Sequence, residues 1–173
     1  MQKTDLKQET EQLAACDSQG RRLSYPVLRN HSVPESVLFL GAIAFIENHD
    51  HQILVSRRAN QKSQGGKWEC PGGMVRFRES CFTAIQRELK EELGISVAPS
   101  NCEWLGNVFR SHQKIAVFHI RMDIDTSELI QQNEEVTEAR WLALEDFEAW
   151  MMAGKFADFS VWVPPLIQEI LKG

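Results

Sequence analysis

Apolar positions between residues 79 and 93 recur every three or four residues, which predicts an amphipathic α-helix. The apolar stripe of this helix consists of Phe82, Ile85, Leu89 and Leu93. Glu79 and Ser80 precede the stripe, where an acceptor side chain can satisfy the unpaired backbone N–H groups of a helix start. Gly94 follows it and suits the left-handed backbone conformation that ends many helices.

The remaining apolar runs predict a sheet and two further helices. The nearly continuous run from Val37 to Glu47 predicts a central strand that is buried on both faces. Further strands are expected over residues 52–58, 103–109, 115–124 and 139–142. Helices are expected over residues 144–152 and 164–171, the second starting at a pair of prolines. The strand side chains that we expect in the core include Phe109, Val117 and Phe118.

The beginning of the chain carries a separate pattern. Two short runs in residues 12–27 flank the turn-forming stretch Asp17–Gly20, which predicts a β-hairpin. We therefore expect an N-terminal extension over residues 1–35 and a main domain over residues 36–173.

Three glutamates share a second face of the predicted helix. Glu88, Glu91 and Glu92 are spaced i, i+3 and i+4, so their carboxylates lie close together beside the apolar stripe. Each like-charged pair costs roughly a few tenths of a kcal/mol. A hard cation such as Mg²⁺ or Mn²⁺ would offset this repulsion. The alternative is a solvated acidic face that Arg87 and Lys90 partly neutralise.

The same stretch carries a longer spacing pattern. A Trp-x-x-Pro-Gly-Gly segment leads into a set of nine residues spread over 23 positions: Gly73, Glu79, Arg87, Glu88, Leu89, Glu91, Glu92, Gly94 and Ile95. These nine residues match every fixed position of the Nudix box. The chain therefore resembles the Nudix hydrolase (MutT-like) superfamily, over residues 37–145. This resemblance implies an α+β fold, with an α/β/α sandwich around a central mixed β-sheet. In some enzymes of the superfamily an added N-terminal hairpin covers the site or pairs between subunits, so a homodimer is one expectation.

The resemblance also implies a metal site. Glu88 and Glu92 would ligate one Mg²⁺, for which Mn²⁺ can substitute, and the backbone carbonyl of Gly73 would contribute to the same site. Glu91 would ligate a second ion or take a proton during the reaction. Divalent ions neutralise phosphoryl oxygens and lower the pKa of a bound water, which suits cleavage of a diphosphate.

Other matched residues would orient this site or supply a base. The resemblance implies that Arg87 orients the glutamate cluster through charge-assisted hydrogen bonds, with Glu79 as its partner. Family members also often use a carboxylate from the acidic loop before the last strand as general base or extra ligand. In this chain Glu134, Glu135 and Glu138 are the candidates, and we choose Glu135.

Several basic side chains and one tryptophan are candidates for contacts with the substrate. Arg57 and Arg58 end a strand on opposite sides, so at most one of them faces a given cleft and contacts a phosphate. Trp68 either lines the pocket or packs its own loop. Arg76 and Arg78 stand where family members often carry an acidic and a small residue. They would favour a highly phosphorylated ligand or serve as surface charges.

The function implied by the resemblance is hydrolysis of a diphosphate linkage. The substrate would be a nucleoside diphosphate derivative, of the ADP-ribose or nucleotide-sugar type, or a nucleoside triphosphate. Two alternatives remain open: an enzyme like isopentenyl-diphosphate isomerase, for which Cys70 would be the nearby thiol, and a nucleotide-binding module without catalysis. The intact set of box glutamates favours hydrolysis over both.

The net charge and composition of the chain limit the kinds of partner that it can bind. A formal net charge of −5 argues against binding of a nucleic-acid polymer. A phosphorylated small molecule stays compatible, because a metal can supply local positive charge. The sequence has no apolar run near the length needed to cross a membrane, so no membrane contact is expected. Four scattered cysteines suit free thiols, and we expect a cytoplasmic protein.

Overall fold

The computed structural model describes residues 11–29, 31–110, 112–129 and 134–158. These residues form a large mixed sheet, a small two-stranded sheet and two α-helices. The strands are β1 (Gln12–Leu13), β2 (Ala15–Cys16), β3 (Val27–Leu28), β4 (Leu38–Glu47), β5 (Gln52–Arg58), β6 (Trp68–Glu69), β7 (Gly72–Met74), β8 (Cys102–Arg110), β9 (Gln113–Arg121) and β10 (Val136–Ala143). The helices are α1 (Cys81–Leu93) and α2 (Leu144–Met152), and short 3-10 turns cover Pro99–Asn101 and Thr126–Glu128.

Strand β4 lies in the middle of the large sheet, whose main order is β10-β5-β4-β9-β8. It runs parallel to β9 and antiparallel to its other partners, which confirms the expected mixed sheet. Its residues from Leu40 to Glu47 are all buried. A strand covered on both faces explains why its sequence is continuously apolar rather than alternating.

Strands β4 and β5 separate soon after the turn that joins them. They pair at Glu47 and Ile53, but further along β7 pairs with β4 and β6 pairs with β5. The segment of residues 68–74 is therefore inserted between two neighbouring strands. This insertion delivers the residues that precede α1 to the interior of the sheet.

Two hydrophobic cores lie on opposite faces of the sheet. Leu40, Ala42, Ala44 and Ile46 of β4 belong to the core that includes α1, whereas Ile43 and Phe45 belong to the core that includes α2. Because successive side chains of a strand point to opposite faces, β4 contributes to both hydrophobic cores. This arrangement confirms the predicted α+β sandwich with one helix on each face.

The N-terminal hairpin is present and is joined to the large sheet. The backbone N–H of Gly20 donates to the carbonyl of Asp17 at 2.9 Å, which closes the expected turn. Strand β1 pairs with β3 in the small sheet, while β2 pairs with β4. The boundary between an N-terminal extension and a main domain, placed between residues 35 and 36, stays a prediction.

Most predicted elements match those observed, and α2 has the predicted bounds. Helix α1 begins at Cys81 rather than at 79 because Ser80 has extended backbone and caps it. Strand β9 ends at Arg121 rather than at 124. The helix predicted over residues 164–171 lies outside the described residues. No helix in the described part of the chain is long and apolar enough to span a bilayer.

The core assignment of Phe109 is wrong, because 62% of this residue is exposed. Val117 and Phe118 are buried as expected. Strand β8 is an edge strand, and its pairing with β9 shifts register between Trp104 and Gly106. Such an irregularity changes which side chains face the core, and sequence alternation does not reveal it.

Candidate functional site

Helix α1 fixes the position of the acidic cluster. At its start the Ser80 hydroxyl accepts a hydrogen bond from the backbone N–H of Thr83 at 3.0 Å. At its end Gly94 has φ 74°, and its N–H closes onto carbonyls of the last turn. Both ends agree with the sequence prediction, so the turn with the three glutamates lies in regular helix.

The three glutamates of α1 lie at different depths. Glu92 points toward the sheet and is 5% exposed. The side chain of Glu88 is 15% exposed and that of Glu91 is 45% exposed. The solvated acidic face that was the alternative interpretation therefore applies to Glu91 alone among the three.

Glu92 carries a buried carboxylate oxygen, Oε2, that has no hydrogen-bond partner among the described residues. Burial is the main reason that the pKa of Glu92 lies well above its ordinary value, and the Glu69 and Glu88 carboxylates raise it further. A buried, unpaired carboxylate is costly. The oxygen therefore lies where a cation would offset an unfavourable charge.

Gly73 lies directly against Glu88. A Cβ atom at position 73 would lie 2.2 Å from Oε1 of Glu88, so only glycine permits this approach. Gly73 is held by its pairing with Ala42 of β4. The N–H of Ala44 donates to the Pro71 carbonyl, and the N–H of Val75 donates to the Leu40 carbonyl. Hydrogen-bonded residue pairs alternate along an antiparallel ladder, so the pair between these two, Ala42 with Gly73, is also hydrogen-bonded and the Gly73 carbonyl faces β4. The carbonyl of Gly72 faces the other way, which adds Gly72 as a candidate ligand that sequence reasoning did not name.

Arg87 ties the cluster to the segment before α1. Its guanidinium donates to Oε1 and Oε2 of Glu79 at 2.9 and 3.0 Å, and to the Met74 carbonyl at 3.0 Å. It also contacts Glu88 at 2.9 Å and Glu91 at 3.3 Å. Burial works to raise the pKa of Glu79, but the bonds from Arg87 outweigh it and the pKa is lowered. This is the orienting arrangement that the sequence predicted.

Arg76 lies over the exposed side of the cluster. Its guanidinium contacts Glu91 at 3.4 Å and Glu11 of the N-terminal segment at 3.2 Å. Its backbone N–H donates to Glu79 at 2.9 Å. The predicted substrate contact of Arg76 is therefore adjacent to the acidic helix face, with a side chain that is 37% exposed.

The three loop glutamates have different contacts in the structure. Glu135 forms an ion pair with Lys62, whereas the Glu134 carbonyl accepts a hydrogen bond from Gln61 at 3.1 Å. Glu138 contacts Arg140 instead. Among the charges that change the pKa of Glu92 are those of Lys62 and Glu135, so this ion pair lies near the acidic cluster.

A buried ion pair, Arg58 with Glu69, borders the cluster on the sheet side. Arg58 Nη1 lies 2.7 Å from Glu69 Oε2, and the two side chains are 12% and 3% exposed. Burial raises the pKa of Glu69 despite the attraction of Arg58. Sequence reasoning named Arg58 but missed Glu69. Residues 68–74 were not predicted as strand, so the sequence did not show the alternation that places Glu69 opposite Trp68.

Arg57 and Trp68 lie on the other face of the sheet. The Arg57 guanidinium is 5.9 Å from the Trp68 ring centre, and Trp68 packs against Trp150 of α2 at 5.3 Å. Trp68 is 8% exposed and belongs to the core under α2. The structure thus brings Arg58 and Arg76 to the acidic cluster and places Arg57 and Trp68 across the sheet from it.

The donor set fits a divalent cation in its chemistry. Within the described ranges, no three His, Cys, Asp or Glu side chains are placed to hold one ion together. Mg²⁺, however, is usually held by one or two carboxylates, with waters and substrate phosphates completing its shell. The unpaired oxygen of Glu92 and the carboxylate of Glu88, one helical turn away, meet that requirement.

The model of the NUDIX domain family matches residues 37–163 of the chain. Among curated proteins, CTP pyrophosphohydrolase of Escherichia coli K12 is 40% identical over 75 residues, which cover 43% of this chain and 51% of that protein. The 8-oxo-dGTP diphosphatase of the same organism is 38% identical over 55 residues, covering 32% of this chain and 43% of that protein. The aligned segments thus span about half the length of these two relatives or less.

Solved structures agree with the fold. A crystal structure of the DR0079 protein from Deinococcus radiodurans superposes with a TM-score of 0.74 at 21% sequence identity. The superposition covers 90% of this chain and 99% of that protein. At this identity the likeness establishes the fold alone.

Proposed function

The chain belongs to the Nudix family, and from this premise we propose that it is a Mg²⁺-dependent pyrophosphohydrolase. Its substrate is a nucleoside diphosphate derivative, of the ADP-ribose or nucleotide-sugar type, or a nucleoside triphosphate. The observation that carries the proposal is the unpaired oxygen of Glu92, buried beside Glu88 and Glu69. Without a cation this arrangement only costs stability, whereas with one it becomes a site for anionic phosphates.

Each residue of the cluster has a distinct part in this proposal. Glu88 and Glu92 would hold the Mg²⁺, or Mn²⁺ in its place, together with the backbone carbonyl of Gly72, because the carbonyl of Gly73 faces β4. When bound, the metal neutralises phosphoryl oxygens and activates a water. Glu91 is the most exposed of the three glutamates, which suits a second ion.

Two further groups orient the reaction. Arg87, fixed by Glu79, holds the carboxylates of the helix in place. Glu135 takes the proton from the attacking water. Its support is its position beside the cluster, on a loop, with Lys62 as a charge partner. A carboxylate within reach of the attacking water can act as its general base.

The substrate class is argued from charge and from the relatives. Arg76 and Arg58 supply positive charge at the two sides of the cluster, and phosphates are recognised by such guanidinium groups. The two bacterial relatives are named for CTP and 8-oxo-dGTP. These nucleotides and ADP-ribose are therefore the first probes.

The isomerase alternative is weakened by the environment of Cys70. This thiol is 1% exposed, and burial raises its pKa far above the ordinary value. A reactive thiol needs the opposite, an exposed site that favours the thiolate. The cytoplasmic location and the homodimer remain predictions.

The test compares Glu92→Gln and Glu88→Gln with Glu145→Gln, a matched change on the exposed start of α2. Release of phosphate and pyrophosphate from CTP, 8-oxo-dGTP and ADP-ribose is measured with saturating Mg²⁺. Both site variants should lose about 100-fold or more in turnover, and Glu145→Gln should match the wild type. Mn²⁺ binding, measured by electron paramagnetic resonance, should fall in the same two variants. Near-normal activity of either site variant would contradict the assignment.

A further inference from the structure

The loop between β5 and β6 is unusually tight. The backbone N–H of Lys62 donates to the Ala59 carbonyl, and that of Gly65 donates to the Lys62 carbonyl, each at 3.0 Å. A Cβ atom at position 65 would lie 2.4 Å from the Asn60 carbonyl oxygen, so the loop folds back closely on itself. The loop therefore holds Lys62 in a defined place.

This loop is bound to the segment that carries Glu135. The backbone N–H of Ala59 donates to the Glu135 carbonyl at 2.9 Å, and the Gln61 side chain donates to the Glu134 carbonyl at 3.1 Å. The third contact is the ion pair between Lys62 and the Glu135 carboxylate, whose side chains are 20% and 28% exposed. Three contacts of different kinds thus fix one loop to the other.

The Lys62 ammonium is also close to the acidic cluster. Its positive charge lowers the pKa of both Glu92 and Glu69, against the larger opposing effect of burial. Arg58, the other cation on this side, is engaged by the Glu69 carboxylate and by the Ser63 carbonyl at 2.8 Å. Glu135 directly precedes Val136, which pairs with Arg58 of β5, and Arg58 contacts Glu69 at the border of the acidic cluster. The Lys62–Glu135 ion pair therefore lies on this side of the proposed cation site.

We propose that Lys62 is a positioning residue: its ammonium holds the Glu135 carboxylate beside the cation site formed by Glu88 and Glu92. The inference rests on the proposed function, because Glu135 is the proposed proton acceptor there. Lys62 is not a ligand of the metal, and it acts on the reaction through Glu135.

Two opposite effects follow from removing the ammonium. A Glu135 carboxylate that is no longer held spends less time in the productive place, so turnover becomes slower. A positive charge near the cation site is lost at the same time, so a divalent cation binds more tightly. A residue that only stabilises the fold would not produce tighter cation binding together with slower turnover.

The first measurement needs no substrate. Mn²⁺ is titrated into the full chain by electron paramagnetic resonance, for the wild type, Lys62→Met and Lys67→Met. Lys67 is the matched control, because it lies on the same loop but donates to the Gly154 carbonyl on the far side. Lys62→Met should bind Mn²⁺ about three- to tenfold more tightly, whereas Lys67→Met should bind as the wild type does. Unchanged affinity in Lys62→Met would overturn the placement of the ammonium.

The second measurement is a double-mutant cycle with Lys62→Met and Glu135→Gln. It uses whichever of CTP, 8-oxo-dGTP and ADP-ribose the wild type hydrolyses fastest. Lys62→Met alone should lower kcat about 10- to 100-fold with little change in KM. In the Glu135→Gln background it should have almost no further effect, because its partner is gone. Effects that multiply, or a raised KM in both backgrounds, would mean that Lys62 binds substrate directly and would overturn the inference.

Folding of every variant is checked by thermal unfolding, and Lys62→Arg, which keeps the charge, should retain most of the wild-type kcat. Loss of activity in Lys62→Arg as large as in Lys62→Met counts against a role for the charge. If the wild type hydrolyses none of the three probes and no nucleotide sugar such as UDP-glucose, the proposed function fails. The Mn²⁺ titration alone then decides whether Lys62 lies where the inference places it.

Discussion

At the scale of single residues, the closest approach in the acidic site is made by a residue without a side chain. Gly73 leaves the space that the Glu88 carboxylate occupies, since a Cβ there would lie 2.2 Å from Oε1. The flexible end of Glu88 would have to move to admit a methyl group. Its present place is fixed on the other side by Arg87 at 2.9 Å. The glycine and the arginine thus determine one carboxylate position from two directions.

Gly73→Ala should therefore impair the site more than the fold. We expect turnover and Mn²⁺ affinity to fall at least about tenfold, because the displaced carboxylate no longer meets the cation. Gly41→Ala is the matched control in the facing strand, where a Cβ would meet Ile115 at an ordinary 3.5 Å. Activity and Mn²⁺ titrations on both variants give the comparison, and equal behaviour of the two would contradict the steric argument.

Arg87→Lys tests whether geometry or charge matters at this position. The guanidinium makes a two-pronged contact with Glu79 and a further bond to the Met74 carbonyl, which a single ammonium cannot reproduce. Turnover should fall about 10- to 100-fold although the positive charge is kept. Steady-state kinetics are compared with those of Lys90→Arg, a change on the exposed face of the same helix. A fully active Arg87→Lys enzyme would show that the charge alone suffices.

The sequence identified most charged residues of the site but not the face of the sheet on which each one lies. The three helix glutamates followed from their spacing, and the resemblance to the Nudix box added Arg87 and Glu79. Arg57 and Arg58 could not be assigned to a face, because the register of β5 with β6 and β10 decides it. Glu69 escaped attention because a charge in a two-residue strand has no periodic neighbours to mark it as buried.

At the scale of elements, α1 combines a capped start with a glycine end, and both signals are local. Such signals depend only on neighbouring residues and can be recognised in the sequence. The bounds of this helix and of the long strand β4 were therefore predicted within a few residues. The inserted segment β6–β7 was not foreseen as strand. Its residues pair only because β4 and β5 diverge, and that divergence is a property of the sheet.

Removing the cap of α1 should weaken the fold with little effect on the chemistry. Ser80→Ala loses the bond to the Thr83 N–H, and such caps contribute about 1 kcal/mol. Urea unfolding should show this loss, whereas Ser100→Ala, in the exposed 3-10 turn, should stay close to the wild type. Turnover of folded Ser80→Ala should be within about twofold of the wild type, because the cap lies two turns from Glu88. A large drop in turnover without loss of stability would mean that Ser80 takes part in the reaction.

At the scale of the whole molecule, the sheet carries buried charge at two separate places along β4. Near its middle, Ala42 pairs with Gly73 beside the acidic cluster. At its end, Glu47 is 6% exposed and contacts His119 at 2.7 Å and His51 at 2.6 Å. The first place has an unpaired carboxylate and the second a fully paired one. The contrast distinguishes the proposed cation site from a contact that stabilises the fold.

The paired carboxylate predicts a dependence of stability on pH. Burial works to raise the pKa of Glu47, but the hydrogen bonds with His51 and His119 outweigh it, so the pKa is lowered in the folded protein. A lowered folded pKa contributes stability above the unfolded value, about 4.3 for Glu, and that contribution is lost as the pH falls through the folded pKa. Arg121, at 4.0 Å, adds to the same attraction.

Glu47→Gln should therefore reduce the free energy of unfolding by about 1–3 kcal/mol near pH 7, and the difference from the wild type should shrink as the pH falls below about 4.3. Urea unfolding at pH 7, 5, 4 and 3, in the presence of a chelator, measures it. Glu35→Gln, an exposed change ahead of β4, is the control and should show no such trend. A difference that grows toward low pH would contradict the sign of the argument. Because the pair lies away from the acidic cluster, Mn²⁺ affinity of Glu47→Gln at pH 7 should equal that of the wild type, which would establish that the two buried charges of the sheet act independently.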